Sequence, residues 1–341
     1  MNTQKTVAML AAGIGAGLIA GETQRRRRAM DFAGKVVVIT GASRGLGLVL
    51  ARQLAREGAR LALIAAHEQP LDRALTELAS EGADVQALVC DIRDRTAVNA
   101  TVEAIVQRFG RIDVLVNNAG VIQVGPVGNM QYEDFQRAMD VHYWGALHMT
   151  LAVLPHMEGG ARLVNITSIG GKLPVPHLAP YTASKFALVG LSEALRAELM
   201  PQGIYVTTVA PGLMRTGSPR NISVKGDHED EYGWFVLLGS LPLVSISAER
   251  AARKIMDAAR HGDASLIITP QAKAAIALEG IAPGIVARAN AFANRWLLPR
   301  PAGPEGDTER HGFESRPDWL PRAATALTDR AAVRNNEVIA D

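Results

Sequence analysis

The sequence predicts one α/β domain built on a doubly wound parallel sheet of about seven strands. Three observations carry that expectation. Short apolar runs alternate with stretches of helical periodicity from about Gly34 to Thr269. The chain is 48% hydrophobic but only 5% aromatic, the Ala/Val/Leu/Ile-rich balance that strands buried on both faces require. A glycine-rich turn, Thr40-Gly41-Ala42-Ser43-Arg44-Gly45-Leu46-Gly47, follows the first apolar run directly.

The expected strands are Val36–Thr40, Leu61–Ala65, Val85–Val89, Val114–Asn117, Leu163–Thr167, Tyr205–Ala210 and Leu266–Thr269. Helical spacing covers Leu46–Glu57, Leu71–Ser80, Ala97–Phe109, Tyr132–Leu154, Phe186–Met200 and Ala248–Arg260. Repeated β-α-β units with right-handed crossovers give a sheet covered on both faces. Between Leu213 and Ser247 this rhythm lapses. Trp234, Phe235, Leu237 and Leu238 there suit either a hydrophobic substrate or packing onto a neighbouring helix.

The expected organisation is a leader over 1–30, a dinucleotide-binding catalytic domain over 31–270, an amphipathic helix over 271–299 and a partly disordered tail over 300–341. In the leader, uncharged Val7–Gly21 precedes Arg25-Arg26-Arg27-Arg28. Secretory signals carry charge before the apolar run, so this order argues against export and for a cytoplasmic C-terminal flank. The run falls short of the roughly 20 residues that span a bilayer. Gly13, Gly17 and Gly21 recur at the spacing that lets membrane helices approach closely. A cytoplasmic protein attached to the membrane face through this segment is expected, against a flexible leader. Near the other end, Ile285, Ala289, Phe292 and Trp296 form one stripe with Arg288 and Arg295 off it. Docking of that stripe on the domain is expected ahead of capping the substrate cleft or lying on a membrane surface.

Composition excludes some functions. Net charge is +2 with basic residues near the ends, so no field recruits nucleic acid. The single cysteine, Cys90, excludes an internal disulfide and fits a reducing compartment. No metal is expected.

The residues that carry chemistry are Ser168, Tyr181 and Lys185. Reducing a carbonyl requires a proton for oxygen as hydride reaches carbon. A free phenol titrates near 10 and exchanges that proton poorly at neutral pH. Lysine one helical turn away favours the phenolate. Tyr181 is therefore the expected acid in reduction and base in oxidation, and Ser168 the group that orients the substrate oxygen. Gly41, Gly45 and Gly47 let backbone approach a pyrophosphate at a helix N-terminus.

The glycine turn, Asn117-Asn118-Ala119-Gly120, Ser168, Tyr181-Thr182-Ala183-Ser184-Lys185 and Pro211-Gly212 stand in this order and spacing. The arrangement resembles the short-chain dehydrogenase/reductase (SDR) family from about Gly34 to Thr269. The resemblance implies a Rossmann-type sheet, a nicotinamide cofactor and hydride transfer with a hydrophobic alcohol or carbonyl compound. It assigns the pyrophosphate to Gly41, Ser43, Gly45, Leu46 and Gly47, the adenine to Asp91 and Ile92, and the adenosine side to Asn118, Ala119 and Gly120. Pro211, Gly212 and Thr216 would hold the nicotinamide amide, and Lys185 its ribose. Arg44 stands where NADP-preferring members carry a basic residue, and Ile64-Ala65-Ala66-His67 has no ribose-binding acid. NADP is therefore expected over NAD.

His142 stands where the family has an asparagine that holds a water on the path to lysine, and histidine can take that role or shuttle a proton itself. The family also implies dimers or tetramers packed through Tyr132–Leu154 and Phe186–Met200. Two alternatives stand beside this reading. One is a non-catalytic NADP-binding sensor or scaffold; the other is an SDR epimerase or dehydratase.

Overall fold

The apolar runs become seven parallel strands: β1 (Val36–Thr40), β2 (Arg60–Ala65), β3 (Val85–Val89), β4 (Val114–Asn117), β5 (Arg162–Ile166), β6 (Tyr205–Ala210) and β7 (Ser265–Ile267). The computed structural model describes residues 21–338. The strands form one sheet in the order β7-β6-β5-β4-β1-β2-β3. Along β1 the side chains alternate between two cores. Val37 and Ile39 join Leu48, Leu63 and Ile255 on one face, whereas Val36 and Val38 join Ile105, Leu115 and Met149 on the other. Period-two alternation with both faces apolar is what a fully covered parallel sheet demands.

Helices cover both faces: α1 (Gly45–Arg56), α2 (Glu68–Ser80), α3 (Arg95–Phe109), α4 (Tyr132–Met139), α5 (Ala146–Val153), α6 (Ala179–Leu199), α7 (His228–Ser240) and α8 (Ala248–His261). Asp94 caps α3 by accepting from the Thr96 and Ala97 amides. The stretch expected as one helix over Tyr132–Leu154 is broken by a π-helical turn, Asp140–Gly145. Helix α6 begins seven residues before the expected Phe186. Pro180 in its first turn presets φ for a helix and lacks the amide hydrogen a first turn leaves unpaired.

Polar side chains cross the core beneath the site. Asn117 on β4 donates to Asn165 on β5 (2.9 Å), which donates to Ser192 on α6 (3.0 Å), which meets Thr208 on β6 (2.7 Å). At the opposite, N-terminal end of β5, Arg162 is buried. Its guanidinium donates to the carbonyls of Arg28 (2.6 Å), Ala259 (2.7 Å) and Arg260 (3.1 Å). Burial pulls its pKa down to about 10.

Four expectations need correction or limiting. The apolar leader up to residue 20 lies outside the described residues. Its basic end does not stay free, because Arg25 bridges Asp263 (2.9 Å) and Asp257 (2.6 Å) and the Met30 amide donates to Arg260 (2.9 Å). The folded domain therefore starts near residue 25. No described helix is long and apolar enough to cross a membrane.

The lapse over Leu213–Ser247 contains α7. Tyr232, Phe235 and Val236 of α7 pack with Val124, Leu178, Ile222 and Leu320 into a third core that Tyr181 and Trp234 border. Beyond the sheet, α9 (Pro270–Ile281) and α10 (Pro283–Trp296) follow. The α10 stripe does not dock: Ile285, Phe292 and Trp296 are 52, 59 and 64% exposed. Polar contacts hold that helix instead, with Asn290 donating to the Pro174 carbonyl (3.0 Å) and Asn294 meeting His177 (2.9 Å).

The tail is not disordered over residues 300–338. It carries α11 (Arg322–Arg334), and Thr328 of α11 hydrogen bonds Ser240 of α7 at 2.7 Å. Composition read as tail-like because its buried contacts are mostly polar.

Candidate active site

Strand order reverses between β4 and β1, which opens a crevice at the C-terminal ends of the strands. The expected site residues gather there. Gly41 to Gly47 follow β1, Asp91 and Ile92 follow β3, and Asn118 to Gly120 follow β4. Ser168 follows β5, and Pro211, Gly212 and Thr216 follow β6.

The turn after β1 is closed by contacts that leave no room for side chains. A Cβ on Gly47 would lie 2.2 Å from the Gly41 carbonyl oxygen. One on Gly41, whose φ is +64°, would meet Ala119 Cα at 2.8 Å. The next turn braces this one: Thr40 Oγ1 accepts from the Asn118 and Ala119 amides at 3.0 Å, and Asn118 Nδ2 donates to the Thr40 carbonyl at 2.9 Å. Arg44 at the N-cap of α1 makes no side-chain capping bond, and the first turn holds no acid. Such a helix start accepts an anion through amides of its first turn, of which the Gly45 amide already donates to the Asn335 carbonyl at 2.9 Å. These features fit a dinucleotide pyrophosphate.

Asp91 instead pairs with Arg93 (2.6 Å), which holds its carboxyl below the usual range. Ile92 is buried, and a Cβ on Gly145 would meet its side chain. Thr216 Oγ1 meets Ser218 Oγ at 2.7 Å, and the Pro211 carbonyl accepts from the Ile169 amide at 2.8 Å.

Tyr181 and Lys185 both lie in the first turns of α6, and the Tyr181 ring and Ser168 Oγ flank Gly170, where a Cβ would lie 3.4 Å from the ring and 3.5 Å from that oxygen. Ser168 Oγ also accepts from the Gly170 amide at 3.0 Å, which fixes its rotamer. Lys185 is buried and donates to the Ile166 carbonyl at 3.0 Å. Burial pulls its pKa from 10.5 to about 7. Burial pushes the Tyr181 phenol up, and the Ser168 bond opposes that rise. Lys185 Nζ lies 5.7 Å from the centre of the Tyr181 ring. A buried ammonium that is itself discouraged from charging is a weak source of positive potential.

His142 lies in the π turn, fully buried. Its Nε2 accepts from the Val121 amide at 3.1 Å, and its Nδ1 lies 2.7 Å from Ser184 Oγ. Ser184 Oγ donates to the Tyr181 carbonyl at 2.8 Å, so Nδ1 carries the proton and donates to Ser184. Burial, and then the charge of Lys185, hold this imidazole well below its usual pKa. Both ring nitrogens are thus occupied by protein, which removes the water-holding or proton-shuttling role expected of His142. It ties the turn after β4 to the start of α6.

Sequence reasoning missed Asn335, Asn336 and Glu337. They reach the glycine-rich turn from the far end of the chain, and Glu337 lies 3.5 Å from Arg44. No local pattern marks them.

Comparison with known proteins agrees with this geometry. The short chain dehydrogenase family model matches residues 35–225. SadH of Mycobacterium tuberculosis is 37% identical over 248 residues, 72% of this chain and 89% of that protein. Human dehydrogenase/reductase SDR family member 4 is 34% identical over 202 residues, 58% of this chain and 73% of that one. Among solved structures, an SDR of Burkholderia phymatum in complex with NAD matches with a TM-score of 0.68 at 27% identity, covering 75% of this chain and 96% of that chain. A blue fluorescent protein from a metagenomic library, in complex with NADPH, matches with a TM-score of 0.61 at 30% identity, covering 70% and 98% respectively. With the Ser168, Tyr181 and Lys185 cluster set beside a glycine-rich turn on a seven-stranded parallel sheet, the chain belongs to the short-chain dehydrogenase/reductase family of oxidoreductases.

Proposed function

We propose that this oxidoreductase transfers hydride between NADP(H) and a hydrophobic alcohol or carbonyl compound, with Tyr181 as the general acid and base. The observation that carries the proposal is that Tyr181 and Ser168 stand together against Gly170, with Lys185 buried one turn further along α6. The bound nicotinamide supplies or accepts the hydride and, when oxidised, adds positive charge. Ser168 Oγ orients the substrate oxygen. Tyr181 Oη gives that oxygen its proton in reduction and takes it back in oxidation. Lys185 has a donor for the ribose hydroxyls. The apolar surround of Tyr181, from Leu178, Trp234 and Phe235, favours a hydrophobic substrate.

NADP(H) is favoured by Arg44 and by the lack of an acid at the end of β2. The Glu337 carboxylate beside Arg44 favours the second reading, NAD(H). Solved relatives bind either one. Exposed Tyr132, Trp144, Leu151 and Phe186 on α4 to α6 support a homodimer or homotetramer formed through those helices.

The test is a panel of apolar ketones and secondary alcohols, followed by nicotinamide absorbance with each cofactor. Turnover of apolar carbonyls with NADPH is expected. Absence of hydride transfer across the panel, with cofactor bound, would turn the assignment toward the sensor reading.

A further inference from the structure

Three consecutive residues at the end of α11 lie on three consecutive residues of the glycine-rich turn. The Asn335 carbonyl accepts from the Gly45 amide at 2.9 Å. Asn336 Nδ2 donates to the Ser43 carbonyl at 2.7 Å and to the Pro70 carbonyl at 2.8 Å. The Glu337 carboxylate lies 3.5 Å from Arg44 Nε. A Cβ on Gly45 would lie 2.6 Å from Glu337 Oε1.

The segment is anchored on both sides. Asn335 Nδ2 donates to the Thr216 carbonyl at 3.0 Å, and Arg52 donates to the Arg334 carbonyl at 2.9 Å. Asn221 Nδ2 donates to Glu337 Oε2 at 2.7 Å. Thr216 and Ser43 were both assigned to the cofactor, so the segment runs across that cradle.

The Glu337 side chain is only 3% exposed. Burying a carboxylate costs free energy unless cations and donors surround it. Here Arg44, Asn221 and the start of α1 are what it has, and burial still pushes its carboxyl above the usual range. An anion held by one arginine at an uncapped helix start is also the arrangement a phosphate takes.

Two anions cannot share one guanidinium without repulsion. We infer that Glu337 is a cofactor-selecting residue that weakens the NADP(H) preference conferred by Arg44, its carboxylate competing with the 2′-phosphate for that guanidinium. This rests on the dinucleotide site proposed above. NAD(H) carries a hydroxyl in place of that phosphate and meets no like charge. The end of β2 reads Ala65-Ala66-His67 and supplies no discriminating acid; the acid arrives from the other end of the chain. Selection by a repulsive element needs no new attractive contact.

The test is titration of NADPH and NADH, followed by nicotinamide fluorescence, on the full chain and on Glu337→Gln, Arg44→Ala and the double variant. Glu337→Gln keeps an acceptor for Asn221 and removes the charge. It should tighten NADPH at least about fivefold relative to NADH, the lower end of ordinary site coupling. On the Arg44→Ala background the same change should give no selective gain. Asn221→Ala, which loosens the carboxylate without touching the turn, should shift the ratio in the same direction and decides the matter if Glu337→Gln misfolds. An unchanged ratio, or equal tightening of both cofactors, overturns the inference and leaves the dinucleotide site standing. Failure of the wild-type chain to bind either cofactor removes the site and the inference together.

Discussion

The His142 Nδ1 proton is spent on Ser184, whose hydroxyl in turn donates to the Tyr181 carbonyl. A side chain in the π turn thereby sets the backbone of the residue that bears the proposed acid. Its other nitrogen accepts from the Val121 amide, so one imidazole spans the turn after β4 and the first turn of α6. Replacing His142 with alanine should leave that amide buried without an acceptor and cost about 2–4 kcal/mol of stability. His142→Asn, which can keep one of the two bonds, should cost less. If His142 positions Tyr181, kcat should fall in both variants with KM little changed. Urea midpoints and steady-state kinetics read both effects. A His142→Ala protein as stable as wild type would refute the tie.

Tyr181→Phe should abolish hydride transfer and leave cofactor affinity nearly intact. The phenol oxygen handles the proton, whereas the pyrophosphate rests on the turn after β1. The variant retains the ring that borders the third core, so folding is not at issue. Turnover at the wild-type rate would end the mechanism.

Gly47→Ala should destroy dinucleotide binding before it unfolds the domain. Its Cβ would meet the Gly41 carbonyl oxygen at 2.2 Å and Asn118 Nδ2 at 2.7 Å, so the braced turn must open. Fluorescence titration should show no saturable binding, while circular dichroism still reports the sheet. Retained affinity would mean that the anion sits elsewhere.

Lys185 makes stability depend on pH. Its pKa is about 7 in the folded protein against 10.5 ordinarily, so between those values the unfolded chain binds more protons. Stability therefore rises with pH across that window, and the penalty for burying the ammonium is fully present below about 7. Lys185→Met should be more stable than wild type at pH 6 without cofactor. Its advantage should shrink as pH climbs toward 10.5. A difference that stays constant with pH would contradict this account.

Deleting residues 1–20 should move the protein from the membrane to the soluble fraction with hydride transfer retained. Cutting there spares Arg25, whose bridges to Asp263 and Asp257 belong to the folded domain. A full-length protein found wholly in the soluble fraction at low salt would dismiss the membrane reading.

What could be read from sequence is what repeats locally. Val36–Thr40 announces itself by four consecutive apolar residues, and Tyr181 and Lys185 by lying one turn apart in a helix. The polar chain from Asn117 to Thr208 does not announce itself, because its members come from four separate segments that only the fold brings together. Periodicity found the apolar stripe of α10 but not its orientation; the anchors, Asn290 and Asn294, lie off the stripe. The place of His142 in the pattern is legible, yet one of its two partners is the Val121 backbone amide, which no side-chain pattern encodes. Glu337 and Arg44 are separated by nearly the whole chain, and a short polar segment carries no sign of where it will land.

Arg162 has a directional consequence. By gripping the Arg28 carbonyl at the start of β5, it fixes the point where residues 25–30 meet the domain. Ser168 emerges from the other end of that same strand. Six residues at about 3.3 Å each separate Arg162 from Ser168 by roughly 20 Å. The point where residues 25–30 join the domain and the crevice therefore lie at opposite ends of β5.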